Sequence, residues 1–128
     1  MKINPKQIEA ILALPGPMRY SHFIKVAADQ RKVWGLFSDG WALAATDDGE
    51  QAFPIWPANE YAALCNLDAW ANYQPREIDL DALFEDLIPK LEESRTLIAV
   101  FPTPSNEGVT PDLKQLEADL RLELSRIE

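Results

Sequence analysis

The stretch SDGWALAATDDGEQAFPIWP, residues 38–57, contains two acidic turn motifs and two tryptophans. Asp39-Gly40 favours a two-residue reversal, and Asp47-Asp48-Gly49 favours a three-residue loop with its glycine in the left-handed region. We expect Ser38 to pair with Trp41 and Thr46 to pair with Glu50. These two registers would place the large side chains on one face, namely Trp34, Leu36, Trp41, Leu43, Phe53 and Ile55. A slip of one residue in either turn would scatter this set, so the agreement favours a three-strand meander over 32–56.

The meander has one strand that we expect at its margin. Pro54 has no N–H to donate to a neighbouring strand, which predicts that its strand is an edge. TLIAVF at 96–101 is apolar in both alternations and reads as an interior strand. We therefore expect it to pair with the 32–38 strand, opposite the edge that contains Pro54.

Helical patterns surround the sheet. Asn4, Pro5 and Gln7 are typical of a capped helix start, and Pro17 is expected to begin a second helix to about Gln30. Further helices are predicted from Pro57, over 79–93 with Asp79 as the cap, and from 111 to the end of the chain. The sequence thus predicts one globular α+β domain over 1–128. We expect a four-stranded, mostly antiparallel sheet, formed by the meander 32–56 and the strand 96–101, with about five helices.

The charge is strongly negative and unevenly distributed. The 128 residues carry a formal net charge of −9. Residues 1–45 hold six basic and three acidic side chains, whereas 46–128 hold the other six basic and eighteen acidic ones. This balance argues against phosphate-driven nucleic-acid binding and favours a basic protein partner.

Single cysteine and histidine residues limit the chemistry. Cys65 alone cannot form an intrachain disulfide, which favours a reducing cytoplasm. One histidine with one cysteine cannot complete a structural zinc site. No apolar run approaches the roughly 20 residues of a membrane helix, and we expect neither a membrane association nor a cofactor.

Four segments together carry a resemblance: VWGLFSDGWAL, FPIWPANEYAALC, WANYQPREIDLDALFEDLIPKLEE and VFPTP. From about Pro17 to its end the chain resembles a family of small bacterial proteins, the domain of unknown function 2750. The resemblance implies a compact single domain and an intracellular location. It transfers no functional residue.

Two acidic groups invite a chemical interpretation. Asp47, Asp48 and Glu50 would suit a hard cation, but their spacing is not that of a calcium-binding loop, and tight turns favour the same residues. We favour the turn. The second group lies on the predicted 79–93 helix, where Asp81, Glu85 and Glu92 are the candidate carboxylates for acid–base chemistry. These lie on the predicted outer face, where carboxylates are usually only solvated.

His22 and Cys65 would be needed for a nucleophile–base pair. Helix phase predicts opposite environments for them, with His22 facing solvent and Cys65 buried as a small hydrophobe. We therefore expect no catalytic dyad.

Three aromatic residues leave a choice open. Trp56, Trp70 and Tyr73 lie at a strand end and in the irregular segment after it, where aromatic side chains commonly line a groove. Alternatively, they cover the second face of the sheet, where Gly35, Ala42 and Ala44 leave room for bulky groups.

The leading hypothesis from the sequence is a non-enzymatic binding or regulatory module for a basic protein partner. The partner-binding candidates are Trp56, Trp70, Tyr73, Asp81, Glu85 and Glu92. The alternative is a small-molecule or hydrolytic site in an aromatic and acidic groove. The narrow apolar stripe of the last helix, with Leu122 behind it, also allows a homo-oligomer.

Overall fold

The computed structural model describes residues 4–46 and 48–127, and they form an α+β fold, as predicted. In chain order the elements are α1 (Pro5–Leu12), α2 (Gly16–Gln30), β1 (Lys32–Phe37), β2 (Ala44–Ala45), β3 (Gln51–Ile55), α3 (Asn59–Leu64), β4 (Gln74–Asp79), α4 (Leu80–Ala82), α5 (Ile88–Ser94), β5 (Leu97–Val100) and α6 (Leu113–Ile127). A π-helical turn at Leu83–Leu87 joins α4 to α5, and we call 80–94 the acidic helical run.

The described strands form two sheets, so the prediction of a single four-stranded sheet is wrong. One sheet is the antiparallel pair β1–β4, and the other has the order β2–β3–β5 with β3 and β5 parallel. Trp34 and Trp56 exchange two backbone hydrogen bonds of 2.8 Å each, which ties β1 to the end of β3. The two sheets are therefore connected through the two tryptophans.

The first reversal is shifted by one residue from the predicted register. Phe37, not Ser38, bridges to Trp41, and Asp39 alone takes the left-handed conformation, with φ of 59°. The predicted turn needs positive φ at both central residues, and Gly40 does not adopt it. The shift moves Trp41 over Gly35, where an added Cβ would lie 2.9 Å from the indole ring.

The shift also divides the large side chains that were expected on one face. Leu43 is 43% exposed instead of facing Leu36. Because side chains alternate along a strand, a slip of one residue is enough to move Trp41 to the opposite face. The predicted collection of six large residues on one surface is therefore wrong.

The second reversal follows the prediction. The Thr46 N–H donates to the Glu50 carbonyl at 2.8 Å, and Gly49 has φ of 81°. Ala45 then pairs with Gln51 in the antiparallel β2–β3 ladder. Asp47 lies outside the described residues.

Pro54 lies in the central strand of its sheet, so the predicted edge position is wrong. β5 pairs with β3 and aligns Ala99 with Pro54. On the other side, β2 reaches only Gln51 and Ala52, so no β2 residue lies opposite the proline. The missing N–H is tolerated because the neighbouring strand is short.

The main partner of β1 is β4, which was not among the strands predicted from the sequence. Lys32 and Glu77 form a 2.8 Å ion pair across these strands. The guanidinium of Arg76 lies 4.4 Å from the centre of the Phe37 ring. These contacts bring together segments far apart in sequence, so local patterns did not reveal the pairing.

The helices are close to their predicted positions. Asn4 and Gln7 form the expected reciprocal capping box of α1. The acidic helical run passes through Pro89, and the π-helical turn lies just before that proline, where its absent N–H disturbs the normal ladder. Asp79 occupies the cap position of α4, but its side chain makes no capping hydrogen bond.

The core lies between the sheets and the helices α2, α3, α6 and the acidic helical run. Its largest fully buried side chains include Trp56, Phe23, Phe101, Leu83, Leu116 and Leu120. Within the described residues, no helix has both the length and the apolar character needed to cross a membrane.

Candidate functional site

A cavity of about 480 Å³ opens on one face of the β2–β3–β5 sheet. Three alanines form its floor: Ala44 and Ala52 are directly paired, and Ala99 lies two residues along on the same face. Small side chains leave this face hollow, whereas Phe53 and Ile55 fill the core on the other face. We call the cavity the alanine groove.

Trp70 forms one wall of the alanine groove. It packs edge-on against Trp56, with ring centroids 6.3 Å apart. Trp56 is fully buried, and its indole Nε1 donates to the Pro102 carbonyl at 2.8 Å. The anchored Trp56 therefore supports Trp70 from behind.

The three aromatic candidates have different positions. Trp56 belongs to the core, and Trp70 is half-buried and faces the groove. Tyr73 is half-buried against the core and is not among the residues that line the groove. Both interpretations of these aromatic residues thus apply in part, to different residues.

Three carboxylates surround the mouth of the groove: Asp48, Asp68 and Glu107. All three are exposed, and none forms an ion pair within the described part of the chain. No lysine, arginine or histidine is present among the described lining residues. The groove therefore combines an apolar floor with a negative rim.

The loop after β5 also lines the groove, and buried hydrogen bonds hold it in place. Phe101 has φ of 58°, an uncommon conformation for an aromatic residue. The buried guanidinium of Arg19 donates to the Phe101 carbonyl at 3.1 Å, to the Leu14 carbonyl at 2.8 Å and to Asn106 Oδ1 at 3.0 Å. Arg19 thus connects the start of α2 to both ends of the loop.

The acidic helical run presents a second negative surface, the acidic helix face. The predicted candidates Asp81, Glu85 and Glu92 are all exposed on it, together with Asp86 and Glu93. Lys90 is the one basic side chain of this run, and none of the five carboxylates forms an ion pair with a described residue.

The acidic residues of α6 differ because they have partners. Glu117 pairs with Arg121 at 2.8 Å, and Glu123 pairs with Arg126 at 3.5 Å. Asp119 accepts the hydroxyl of Tyr20 at 2.6 Å. Two of these acidic side chains are therefore neutralised by arginines, and the third is hydrogen-bonded.

His22 and Cys65 are not joined by any hydrogen bond in the described residues. His22 is half-buried, contrary to expectation, with its ring 6.4 Å from that of Phe101. Burial, with a smaller effect of Lys25, lowers the pKa of its imidazole. The Cys65 thiol donates to the Pro102 carbonyl at 3.5 Å, and burial raises its pKa to about 11.

Sequence reasoning missed the rim residues Asp68 and Glu107, and it missed Arg19, which holds the loop after β5 in place. Asp68 and Glu107 are far apart in the chain, and only the fold brings them to one opening. A local signal existed for one residue of the floor, since the sequence places Ala44 on the face of the sheet that has room for bulky groups. Within the described ranges, no group of three His, Cys, Asp or Glu side chains is arranged to hold a metal ion.

Comparison with known proteins identifies a family and no function. The family profile described as "Protein of unknown function (DUF2750)" matches residues 20–120. This range includes the groove and the acidic helix face. No curated protein matches the chain. Since the match covers most of the 128 residues, the chain belongs to the DUF2750 family.

Proposed function

We propose that this protein is a non-catalytic binding module that recognises a basic protein partner. The observation that carries the proposal is the acidic helix face, where five exposed carboxylates accompany one lysine and have no ion-pair partner among the described residues. Clustered like charges create a potential that attracts a basic surface and accelerates its association.

The environment of the reactive side chains supports a non-catalytic role. At neutral pH the raised pKa keeps Cys65 as a thiol, which is a weak nucleophile compared with a thiolate. The groove carboxylates are exposed, whereas catalytic carboxylates usually need burial to tune their pKa.

Affinity capture with a charge-neutralised variant tests the proposal. The variant D81N/E85Q/E92Q removes three charges from the acidic helix face, and E9Q/D29N/D39N removes three exposed charges elsewhere as the matched control. Proteins captured from a lysate of the source cells at low and high salt would be identified, and the affinity of the purified partner measured by calorimetry. Loss of about three exposed pairs at about 0.5 kcal/mol each predicts about tenfold weaker binding for the first variant.

The control variant should bind with nearly the affinity of the unmodified protein. Absence of a basic protein among those captured would refute the proposal. So would equal binding by the two variants, or binding that does not weaken as salt rises.

We also propose that α6 allows weak self-association. Leu122 and Ile127 are 54% and 46% exposed on this helix. Exposed leucines occur singly on many proteins, so the expected dimer is weak. Sedimentation velocity at low and high protein concentration is the appropriate measurement.

A further inference from the structure

We propose that the alanine groove receives a lysine or arginine side chain from an extended segment of the basic partner, and that this segment pairs with the edge strand β2. The inference rests on the proposed function, because it takes the partner to be a basic protein. It goes further by placing one side chain of that partner in a defined cavity.

The lining of the groove matches the two parts of such a side chain. Ala44, Ala52 and Ala99 offer an apolar floor to the methylene stem, which lysine and arginine bury readily. Asp48, Asp68 and Glu107 surround the charged head without any competing basic side chain among the described lining residues. Charge complementarity therefore favours a cationic occupant over a neutral or anionic one.

Trp70 adds a preference for a cation at the wall. The face of a tryptophan attracts an ammonium or guanidinium group within about 6 Å. Because Trp70 rests on Trp56, and Trp56 is fixed by its 2.8 Å hydrogen bond to Pro102, the wall is ordered before binding. Such preorganisation lowers the entropy that binding must overcome.

An open strand edge beside the groove favours a polypeptide over a free small cation. Thr46 donates to Glu50, so alternation along the antiparallel ladder turns Ala44 toward β3 and the backbone groups of Ala45 away from it. The N–H of Ala45 has no partner in the described residues, and Ala45 is exposed. An incoming extended segment would satisfy these groups and add a strand to the sheet.

The strand geometry fixes where the basic residue must lie. Side chains alternate between faces, and the groove lies on the face of Ala44 and Ala52. The partner residue directly opposite Ala45 therefore points to the other face. Its immediate neighbour in sequence points into the groove, so the lysine or arginine is expected one position from the residue that bonds Ala45.

Selection from a displayed library of random dodecapeptides tests the inference. We expect enriched peptides to contain a lysine or arginine within an extended, β-branched context. Synthetic copies of these peptides should bind the unmodified protein. Their affinity for A44F, in which the phenyl ring fills the groove, should be lower by about tenfold or more. Their affinity for the rim variant D48N/D68N/E107Q should be lower by a similar factor. Asp68 has φ of 52°, and asparagine tolerates this conformation, so the rim variant is expected to fold.

Two controls make the measurement specific. A118F introduces the same aromatic ring on the exposed face of α6 and should bind like the unmodified protein. The peptide backbone would be N-methylated at one residue at a time. Methylation of a residue adjacent to the basic one should abolish binding, whereas methylation of the basic residue itself should not. Thermal unfolding would verify that A44F and A118F are folded.

Several results would overturn the inference. These are a selection without enrichment of basic residues, equal peptide affinity for A44F and A118F, or binding of free spermidine as tight as that of the peptide. Partner capture that depends on the acidic helix face but is unchanged in A44F would refute the groove and leave the proposed function intact. Failure to capture any basic partner would instead refute the proposed function.

Discussion

At the scale of single residues, the alanine groove depends on Arg19, which is not among the residues that line it. Arg19 donates to two backbone carbonyls and one amide oxygen, and it holds the loop after β5 that lines the groove. Among the described residues it has no carboxylate partner. Three hydrogen bonds to neutral acceptors replace water around the buried guanidinium, so its role is structural rather than electrostatic.

Gly108 is a residue of this loop at which the backbone conformation and the surrounding atoms both require glycine. Its φ is 84°, and an added Cβ would lie 2.7 Å from the Val100 carbonyl oxygen. We expect G108A to lower the free energy of unfolding by more than about 2 kcal/mol, because it combines a left-handed backbone with a backbone clash. Urea unfolding followed by tryptophan fluorescence measures this change.

Gly40 provides the matched control for that substitution. Its Cβ position meets nothing within 4 Å, and its backbone is outside the left-handed region. G40A should therefore change stability by no more than about 0.5 kcal/mol, or increase it slightly by restricting the unfolded chain. Similar losses in G40A and G108A would show that the loop adapts and that the groove wall is not rigid.

At the scale of secondary-structure elements, α6 carries leucines on both its buried side and its exposed side. Leu120 is fully buried and Leu122 is 54% exposed. We expect L120A to destabilise the protein by about 2–5 kcal/mol, since it removes packed atoms and leaves a cavity. L122A, the same chemical change on the solvent side, should cost about 0.5 kcal/mol or less.

Chemical denaturation of both variants gives the comparison directly. A loss in L122A as large as that in L120A would mean that Leu122 is buried in solution by a second copy of the chain. In that case the loss should disappear on dilution, because stabilisation by self-association depends on concentration.

Helices and one turn were predictable because their signals are local. The capping box of α1 and the loop closed by Thr46 and Glu50 both depend on residues within four positions of each other. The pairing of β1 with β4 and the parallel pairing of β3 with β5 depend on distant segments, and the sequence gives no register for either. Strand partners are therefore where prediction failed.

The candidate site follows the same division. The acidic helix face was visible in the sequence because a single helix carries it. The alanine groove was only partly visible, since its small-residue floor could be read from the meander. Its rim requires Asp48, Asp68 and Glu107 to meet at one opening, and this depends on the tertiary fold.

At the scale of the whole molecule, the net charge of −9 implies repulsion between carboxylates that lowers the stability of the fold. Helix α6 contributes less to this repulsion, because two of its glutamates are paired with arginines. The carboxylates of the acidic helix face repel one another, and Glu92 and Glu93 lie near the end of a helix where the dipole disfavours negative charge. A basic partner would relieve this repulsion, so the charges that disfavour the folded protein alone would favour its association with such a partner.

This balance predicts that D81N/E85Q/E92Q is more stable than the unmodified protein at low salt. Relief of about 1 kcal/mol of repulsion would raise the melting temperature by about 3–5 °C. The difference should shrink in 0.5 M salt, where screening shortens the range of exposed charges to a few ångströms. E117Q/E123Q provides the control because it removes two carboxylates that have arginine partners, and it should give no gain. Calorimetric melting of the three proteins at both salt concentrations tests the argument. An equal gain in both variants would mean that net charge alone, and not the acidic helix face, carries the repulsion.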